Sequence, residues 1–338
     1  MKKNTILITD SKNIFYVTKA TFEGFWLLIH NSKFIIITSA MIFGQAKQFF
    51  KNKAKIFVIK SSFSDTLIDI CKKYKIRNLD IDTTNMDYNL FQLLNNKLKE
   101  NKISVVTDEK QILEKRRIKN KEEIKNIQKA CIIVSEVFEA VKKKVVPGMT
   151  ELDVHFKIEE EFAKRHVVQS FKTIVASGPN SANPHHISGN RKIQKNDVVL
   201  IDMGCIYNGY CSDLTRTFFM GKENKYQKEI WNIVKQAHDK AMVNVKENMK
   251  AADIDLFARD MIQKEGYGKN FIHTTGHGVG LNIHESPTIG SKSKDILKES
   301  MVITIEPGIY LDKKFGVRIE DTVLVTKKGY KVLTTAEY

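Results

Sequence analysis

The sequence predicts an α+β protein of two domains, a small α/β domain followed by a larger, glycine-rich one. Glycine and proline divide the 338-residue chain, because all five prolines lie beyond residue 146 and only Gly24 and Gly44 of the seventeen glycines precede it. Short apolar runs alternate with helix-like stretches in the first part, and strands dominate the second. We therefore expect one domain over residues 1–108 and another over 109–338.

The N-terminal domain is predicted from this alternation. The runs NIFYVTKA, KFIIITSA and KIFVIK are short and rich in β-branched or aromatic residues, which favours strands. The stretches SDTLIDICKKYKI and MDYNLFQLLNNKLKEN are longer and have apolar residues at helical spacing. Strands and helices in alternation are typical of a small α/β domain.

The second domain begins with a charged, helix-prone segment, EKQILEKRRIKNKEEIKNIQKACIIVSEVFEAVKKKV, which Pro147-Gly148 stops. A second helix is predicted from about Glu151 to Lys164, since Thr150 and Asp153 form a capping-box pattern. Strands follow, with one long helix predicted between them from about Asn224 to Lys246. No repeat of fixed period is visible.

Composition limits the class of protein. Hydrophobic residues make up 42% and charged residues 28%, as in soluble globular proteins. No apolar run approaches the roughly 18 residues that span a bilayer, and the apolar stretch before Asp10 is too short for a signal peptide. The four scattered cysteines predict buried thiols rather than a disulfide framework. We expect a cytoplasmic protein without a membrane partner.

The formal charge of +16 raises the hypothesis of nucleic-acid binding. Only eight of the basic residues are Arg, and the lysines are spread along the chain and mixed with Glu, as in KNKEEIKNIQK. Nucleic-acid sites cluster Arg and add exposed aromatic residues. A solvated, Lys-rich surface is the better interpretation.

A hairpin brings two carboxylates together in VVLIDMGCIYNGYCSDLTRTFF. Asn208-Gly209 predicts a type I′ turn, so Tyr207 should face Tyr210. In this register Asp202 opposes Thr215, and Asp202 and Asp213 are diagonal neighbours on one face, with Cβ atoms roughly 7 Å apart. Two carboxylates at that separation can hold one metal ion or bridge two. An unpartnered Asp in an apolar strand would otherwise be costly to bury.

Histidines and two further acids supply other candidate ligands. FIHTTGHGVGLNIHE contains His273, His277 and His284, and its glycines favour a loop or strand over a helix. The residues alone do not choose among the three. A second cluster, SGPNSANPHH, adds His185 and His186.

MVITIEPGIY places Glu306 at the end of an apolar strand. GVRIEDTVLV places Glu320 within another, with Arg318 two residues earlier on the same face, where it is expected to pair with an acid. Four carboxylates with one or more imidazoles form an oxygen-rich set that suits Mn²⁺, and also Co²⁺, Fe²⁺ or Zn²⁺.

With these segments in order, the chain resembles the pita-bread metallopeptidases, within them the Xaa-Pro peptidases (aminopeptidase P and prolidase). The resemblance is strongest from about Arg116 to Leu333. It implies a pita-bread catalytic domain preceded by a creatinase-like N-terminal domain, two divalent metal ions per chain and a homodimer. In the N-terminal domain, SAMIFGQA replaces the usual Asp-x-Arg-Tyr element.

The resemblance also implies roles for single residues. Asp202 would bind one metal, Asp213 and Glu320 both, and His277 and Glu306 the other. The remaining histidines and the arginine would surround the substrate or support the ligands: His185, His273, His284 and Arg318. In catalysis, Glu306 would accept a proton from water, and His185 and His284 would act on the substrate.

The implied activity is removal of one N-terminal residue from peptides with proline at the second position, by a hydroxide between the two metals. The main expectation is an Xaa-Pro aminopeptidase, and the alternative is an Xaa-Pro dipeptidase (prolidase). Methionine aminopeptidase, metal-free creatinase and a non-catalytic pita-bread binding protein are less favoured. The sequence has an N-terminal domain, which argues against the first, and all five ligand positions are filled, which argues against the others.

Overall fold

The computed structural model describes residues 5–107 and 110–338. The chain divides into two compact units, one that ends at Lys115 and one over Arg116–Tyr338. The predicted boundary between residues 108 and 109 lies outside the described residues. No helix in the described ranges is long and apolar enough to cross a membrane.

The first unit is built on one six-stranded mixed sheet. Its strands are β1 (Ile6–Ile8), β2 (Phe25–His30), β3 (Lys33–Thr38), β4 (Ala54–Val58), β5 (Asn78–Asp82) and β6 (Ser104–Thr107). The strand order is β4-β3-β2-β1-β5-β6; the β1–β2 and β2–β3 pairs are antiparallel and the other pairs are parallel. The helices are α1 (Ser11–Thr18), α2 (Ala40–Phe50), α3 (Phe63–Tyr74) and α4 (Tyr88–Glu100), while α5 (Lys110–Arg117) runs across the boundary into the second unit. Helices alternating with strands match the α/β character that the sequence predicts.

One local prediction in this unit is wrong. The run NIFYVTKA, expected to be a strand, contributes to α1, because Asp10 caps the helix by accepting a hydrogen bond from Asn13 N at 2.8 Å. The predicted strands KFIIIT and KIFV and the helices over Phe63–Tyr74 and Tyr88–Glu100 are present.

The second unit packs helices against antiparallel sheets. Its helices are α6 (Lys121–Lys142), α7 (Glu151–Lys164), α8 (Lys225–Met242) and α9 (Ala251–Lys264). The strands are β7 (Val168–Gln169), β8 (Ile174–Ser177), β9 (Val198–Met203), β10 (Cys205–Tyr207), β11 (Tyr210–Cys211), β12 (Leu214–Phe219), β13 (Gly276–Gly278), β14 (Glu285–Ile289), β15 (Val302–Ile305), β16 (Gly308–Leu311), β17 (Phe315–Arg318), β18 (Asp321–Thr326) and β19 (Gly329–Val332). The sheets have the orders β12-β9-β8, β11-β10-β7, β14-β13-β15-β18-β19 and β16-β17.

Two helix predictions in this unit need correction. The charged segment before Pro147 forms α5 and α6 rather than one helix, because Asn120 starts α6 with a capping box that Glu123 completes. The long helix expected to reach Lys246 ends at Met242, and α9 follows it without having been predicted. The predicted helix over Glu151–Lys164, with its Thr150 cap, is confirmed.

The second unit contains two similar halves. Helices α6 and α7 share a core with β8, β9 and β12, and α8 and α9 share one with β14, β15 and β18. Thr150, before α7, bridges Lys192, and Lys250, before α9, bridges Ile296. The same backbone device therefore holds the start of the second helix in each half.

Candidate metal centre

The hairpin that carries Asp202 and Asp213 has the predicted register. Strands β9 and β12 place Asp202 opposite Thr215, and Tyr207 faces Tyr210 across the turn. Asn208 and Gly209 both have positive φ, 49° and 84°, as a type I′ turn requires. The local turn therefore sets the separation of the two carboxylates.

His277 is the central residue of the short strand β13, with Gly276 on one side and Gly278 on the other. A Cβ on Gly276 would lie 2.0 Å from Thr304 O, so only glycine lets β13 lie this close to β15. Thr304 Oγ1 also accepts a hydrogen bond of 3.1 Å from His277 N. This close approach aims the imidazole at the acidic residues.

Glu306 and Glu320 lie at strand ends. Glu306 follows β15, and its N–H donates to Thr275 O at 2.7 Å. Glu320 was expected inside a strand, but it lies between β17 and β18. Its N–H donates to Thr215 O at 3.1 Å, which joins it to the strand that pairs with Asp202.

These side chains converge on one point. Ligand atoms of Asp213, His277 and Glu320 lie within 4.8 Å of one another. His277 Nε2 is 3.6 Å from Asp213 Oδ2 and 3.3 Å from Glu306 Oε1. The structure thus brings the candidate ligands from the hairpin, the histidine strand and the two strand ends together.

Two carboxylate oxygens in the cluster have no partner among the described residues. Asp202 Oδ2 accepts a hydrogen bond from Arg318 at 2.6 Å, and Glu320 Oε2 accepts one from Thr215 at 2.6 Å. The other oxygen of each, Asp202 Oδ1 and Glu320 Oε1, is buried and unpartnered. A buried charge without a partner is costly, and a cation removes that cost. The donor set therefore fits divalent metal ions.

Burial and mutual repulsion raise the pKa values of two carboxylates in the cluster. Burial raises the pKa of Asp213 well above its ordinary value, and repulsion from Glu320 and Asp202 adds to the shift. Burial likewise raises the pKa of Glu320, with repulsion from Glu306 and Asp202. Carboxylates this close repel one another unless a cation neutralises them.

Glu306 and His277 behave as a pair in the absence of metal. Burial raises the pKa of Glu306, but the hydrogen bond and charge of His277 outweigh it and lower that pKa to about 2. Burial lowers the pKa of His277, and Glu306 more than compensates, so the net shift is upward. A metal ion would take the place of the proton that the two side chains share.

Arg318 lies behind Asp202 and is nearly inaccessible, with 3% of its surface exposed. Its Nε donates to Thr215 Oγ1 at 3.1 Å and its Nη1 to Tyr310 OH at 2.7 Å, while Nη2 binds Asp202. These contacts favour support of a ligand carboxylate over direct contact with substrate.

Tyr310 was not singled out from the sequence. Its hydroxyl lies 2.7 Å from Arg318 Nη1 and 2.9 Å from His273 Nε2, and burial raises its pKa to about 12. Tyr310 therefore links the arginine behind the carboxylates to one of the outer histidines. The signal that could have found it is the β16–β17 hairpin, which pairs Tyr310 with Gly316, two residues from Arg318.

The remaining histidines surround the cluster. The ring of His284 packs edge-on against that of His277, with centroids 4.2 Å apart. Burial lowers the pKa values of His273 and His284, and the nearby His185 adds a smaller contribution to both. His185 is exposed, whereas its neighbour His186 turns inward to Glu151, 2.7 Å away. In the sequence both histidines belong to one cluster, and the fold directs them to different sites.

Comparison with known proteins supports the same chemistry. Residues 125–327 match the model of metallopeptidase family M24, and residues 3–118 match the creatinase/prolidase N-terminal domain. The chain is 37% identical to the Xaa-Pro dipeptidase of Pyrococcus furiosus over 334 residues, which is 98% of this chain and 93% of that protein.

Solved structures of similar proteins have the same fold. An Xaa-Pro dipeptidase from Bacillus anthracis is 32% identical with a TM-score of 0.94, covering 99% of this chain and 94% of that one. An X-Pro aminopeptidase from Thermotoga maritima is 30% identical with a TM-score of 0.91, covering 100% and 97%. The second unit is thus a pita-bread catalytic domain preceded by a creatinase-type domain, and the chain belongs to metallopeptidase family M24.

Proposed function

We propose that this metallopeptidase is an Xaa-Pro dipeptidase that uses two divalent metal ions, with Mn²⁺ favoured by the oxygen-rich ligands. One observation carries the metal assignment: Asp202 Oδ1 and Glu320 Oε1 are buried beside Asp213 and His277 and have no hydrogen-bond partner in the part of the chain that the structure describes. With four carboxylates and one imidazole, these residues would hold two ions that share carboxylates.

The ligands divide between the two ions. Asp202 would hold one, His277 and Glu306 the other, and Asp213 and Glu320 both. When bound, the pair would supply a water of lowered pKa and polarise the scissile carbonyl. The guanidinium of Arg318 would keep Asp202 oriented. The hydroxyl of Tyr310, which contacts both Arg318 and His273, would fix the positions of these two side chains relative to each other.

The chain's own residues handle the protons. Glu306 would accept the proton of the attacking water and pass it to the departing proline nitrogen. The low pKa of Glu306 depends on a charged His277, so a neutral, ligating His277 removes the largest lowering effect and makes Glu306 a better base. His284, whose pKa is lowered by burial and by His277, would be a neutral imidazole that donates an N–H to the developing oxyanion.

The outer histidines would contact the substrate. His185 and His273 lie beside the cluster, one exposed and one held by Tyr310. The nitrogen of an Xaa-Pro bond has no N–H, so a site without an acceptor for it favours proline. His185 and His284 would be the histidines that act on the scissile bond.

The dipeptidase is favoured over the aminopeptidase, which was the main expectation from the sequence. Support comes from the relatives named Xaa-Pro dipeptidase at 37% and 32% identity. Similarity to an X-Pro aminopeptidase supports aminopeptidase activity as the alternative. The two differ in whether the site accepts the carboxylate of a dipeptide or a longer chain.

Rates on Ala-Pro and Arg-Pro-Pro with Mn²⁺ test this proposal, with Ala-Ala as the matched substrate without proline. We expect Ala-Pro to be cleaved with the highest kcat/KM and the activity to disappear after chelation. Cleavage of Arg-Pro-Pro alone would establish the aminopeptidase instead. No cleavage of either proline peptide by protein that holds two ions would refute Xaa-Pro activity.

Two broader properties complete the proposal. The family resemblance supports a homodimer, which light scattering after size-exclusion chromatography would test. Buried thiols at Cys71, Cys131, Cys205 and Cys211 suit a reducing compartment, which supports the cytoplasm as the location.

A further inference from the structure

The carboxylate of Glu151, at the first position of α7, is completely buried without a cationic Lys or Arg partner among the contacts described for it. Its Oε1 accepts hydrogen bonds from Ser177 N and Oγ, both 2.8 Å, and from Asn180 Nδ2 at 3.0 Å. Its Oε2 accepts from His186 Nε2 at 2.7 Å and Gly189 N at 3.1 Å. Burial raises the pKa of Glu151, but these donors outweigh it and the net shift is downward.

The donors all come from one continuous segment, the end of β8 and the loop that follows it. We call residues 178–189, which follow β8 and carry His185, the His185 loop. Ser177 immediately precedes this loop, His186 lies within it and Gly189 ends it. A single carboxylate therefore fixes the loop at both ends and next to the histidine.

The start of α7 does not itself require a carboxylate. In the other half of the unit, Ala251 begins α9 in the same setting: Glu151 N donates to Arg191 O at 3.1 Å, and Ala251 N donates to Asp295 O at 2.9 Å. Ala251 is also completely buried. Helix α9 thus begins with alanine in the same setting, so the carboxylate of Glu151 is not needed to start α7. Its role is to bind the loop.

The held loop reaches the elements of the metal centre. Gly316 N, in β17, donates to Ser181 Oγ at 2.8 Å, and β17 ends at Arg318. His185 and His186 follow Asn183 in a turn, where His186 N donates to Asn183 O at 3.2 Å and His185 N donates to Asn183 Oδ1 at 3.1 Å. With His186 fixed against Glu151, His185 is the exposed member of the pair. His185 is close enough to His273 and His284 to influence both.

We infer that Glu151 is a positioning residue that orients His185 over the metal centre by fixing the loop that carries it. The inference rests on the proposed function, since it assigns to His185 a contact with the peptide. It predicts that Glu151 affects turnover only through His185, without affecting metal binding.

Glu151→Gln is the test variant because it keeps the shape and replaces one acceptor oxygen with an NH₂ group that faces existing donors. We expect two ions per chain, as in the unmodified protein, and a fall in kcat/KM for Ala-Pro on the order of 10–100-fold, since small displacements of catalytic groups have effects of this size. Glu161→Gln is the matched control. Glu161 lies on the same helix and is 7% exposed, but its carboxylate binds Lys144, Lys164 and Arg165 instead of the loop.

A double-mutant cycle separates positioning from general loss of structure. In a His185→Ala background, Glu151→Gln should change kcat/KM by less than about twofold, since the group that it orients is gone. His186→Ala in the unmodified background should lower kcat/KM in the same direction. If the effects of Glu151→Gln and His185→Ala multiply, or if Glu151→Gln alone leaves kcat/KM unchanged, the inference is overturned.

Hydrogen exchange provides a readout that does not depend on activity. Amides of residues 178–189 should exchange faster in Glu151→Gln than in the unmodified protein or in Glu161→Gln. An unmodified protein that cleaves no Xaa-Pro peptide would refute the proposed function, and the exchange rates would still decide whether Glu151 fixes the loop. Equal exchange in all three proteins would overturn the inference.

Discussion

Arg318 and Asp202 form a buried ion pair in which Nη2 lies 2.6 Å from Oδ2. The pair leaves Asp202 Oδ1 unpartnered among the described residues, directed by a guanidinium that is itself held by Thr215 and Tyr310. The orientation of a proposed metal ligand, Asp202, is thus set by Arg318, which is not itself proposed to bind metal. Residues in such positions commonly affect metal affinity as strongly as some ligands do.

Arg318→Lys should weaken Mn²⁺ binding or lower kcat/KM by about 10–100-fold, because the single ammonium nitrogen of lysine cannot reach the three acceptors that the guanidinium nitrogens contact separately. Titration calorimetry on metal-free protein measures the affinity. Arg165→Lys, which alters the ion pair of a partly exposed arginine with Glu161 on α7, is the control and should leave both values unchanged. Unchanged affinity and turnover in Arg318→Lys would show that Asp202 keeps its orientation without the guanidinium.

Glu306→Gln should lower kcat for Ala-Pro by at least about 100-fold, since glutamine cannot accept the proton that general-base catalysis requires. The measurement is meaningful on protein that metal analysis shows to hold two ions per chain. Glu299→Gln, at an exposed carboxylate paired with Lys327, is the control. Near-normal turnover of metal-loaded Glu306→Gln would assign the base to another residue.

Metal binding should release protons near pH 6. In the metal-free site the pKa values of Asp213 and Glu320 are well above the ordinary range and that of His277 is above 6.5. Metal ligation needs all three without their protons, so the apparent affinity should rise with pH. Calorimetry in two buffers of different ionisation enthalpy gives the number released. Equal enthalpies in both buffers would contradict the shifts.

The sequence predicted those parts of the site that depend on local structure. The register that pairs Asp202 with Thr215 follows from the Asn208-Gly209 turn, because a short turn fixes every facing pair of its strands. Selection of His277 needed the family resemblance, since β13 pairs with β15, distant in sequence, through a close approach at Gly276.

Other features depended on tertiary contacts. The fold class and the domain types were predicted, but α9 was missed even though its buried residues Ala251, Ile254, Ala258 and Ile262 follow helical spacing. The similarity of the two halves, seen in their matching backbone bridges, was not predicted from the sequence. Glu151 appeared only as a helix-start residue, because its loop donors begin 26 residues later in the chain.

Gly276→Ala should destabilise the protein by about 1–3 kcal/mol and lower the metal content, because the new Cβ would lie 2.0 Å from Thr304 O beside His277. Urea unfolding and metal analysis measure the two effects. Gly329→Ala is the matched strand control, as a Cβ there meets nothing within 4 Å. It should change stability by less than about 0.5 kcal/mol. Equal behaviour of the two variants would contradict the close approach.

Glu285, the residue after His284, has a carboxylate that is shared by two cationic side chains. Glu285 contacts Arg116, and its Oε2 lies 3.5 Å from Lys119 Nζ. Arg116 and Lys119 are buried, the side chain of Glu285 is 7% exposed, and Asn282 N donates to Glu285 Oε1 at 2.9 Å. Glu285 also fills the space above Gly280, where a Cβ would lie 2.5 Å from its Oε2. The cluster thus anchors the segment that carries His284.

Glu285→Gln should destabilise the protein by about 3–5 kcal/mol, since it removes the negative charge that two buried cations share. Lys119→Met in the Glu285→Gln background should recover part of that loss, because the variant then buries one positive charge fewer. Urea unfolding of both single variants and the double variant gives the coupling between the two positions. Glu299→Gln, at an exposed pair, should cost less than about 1 kcal/mol. If the two single effects simply add, Lys119 and Glu285 do not stabilise one another, and the His284 segment is held instead by Asn282 and by packing over Gly280.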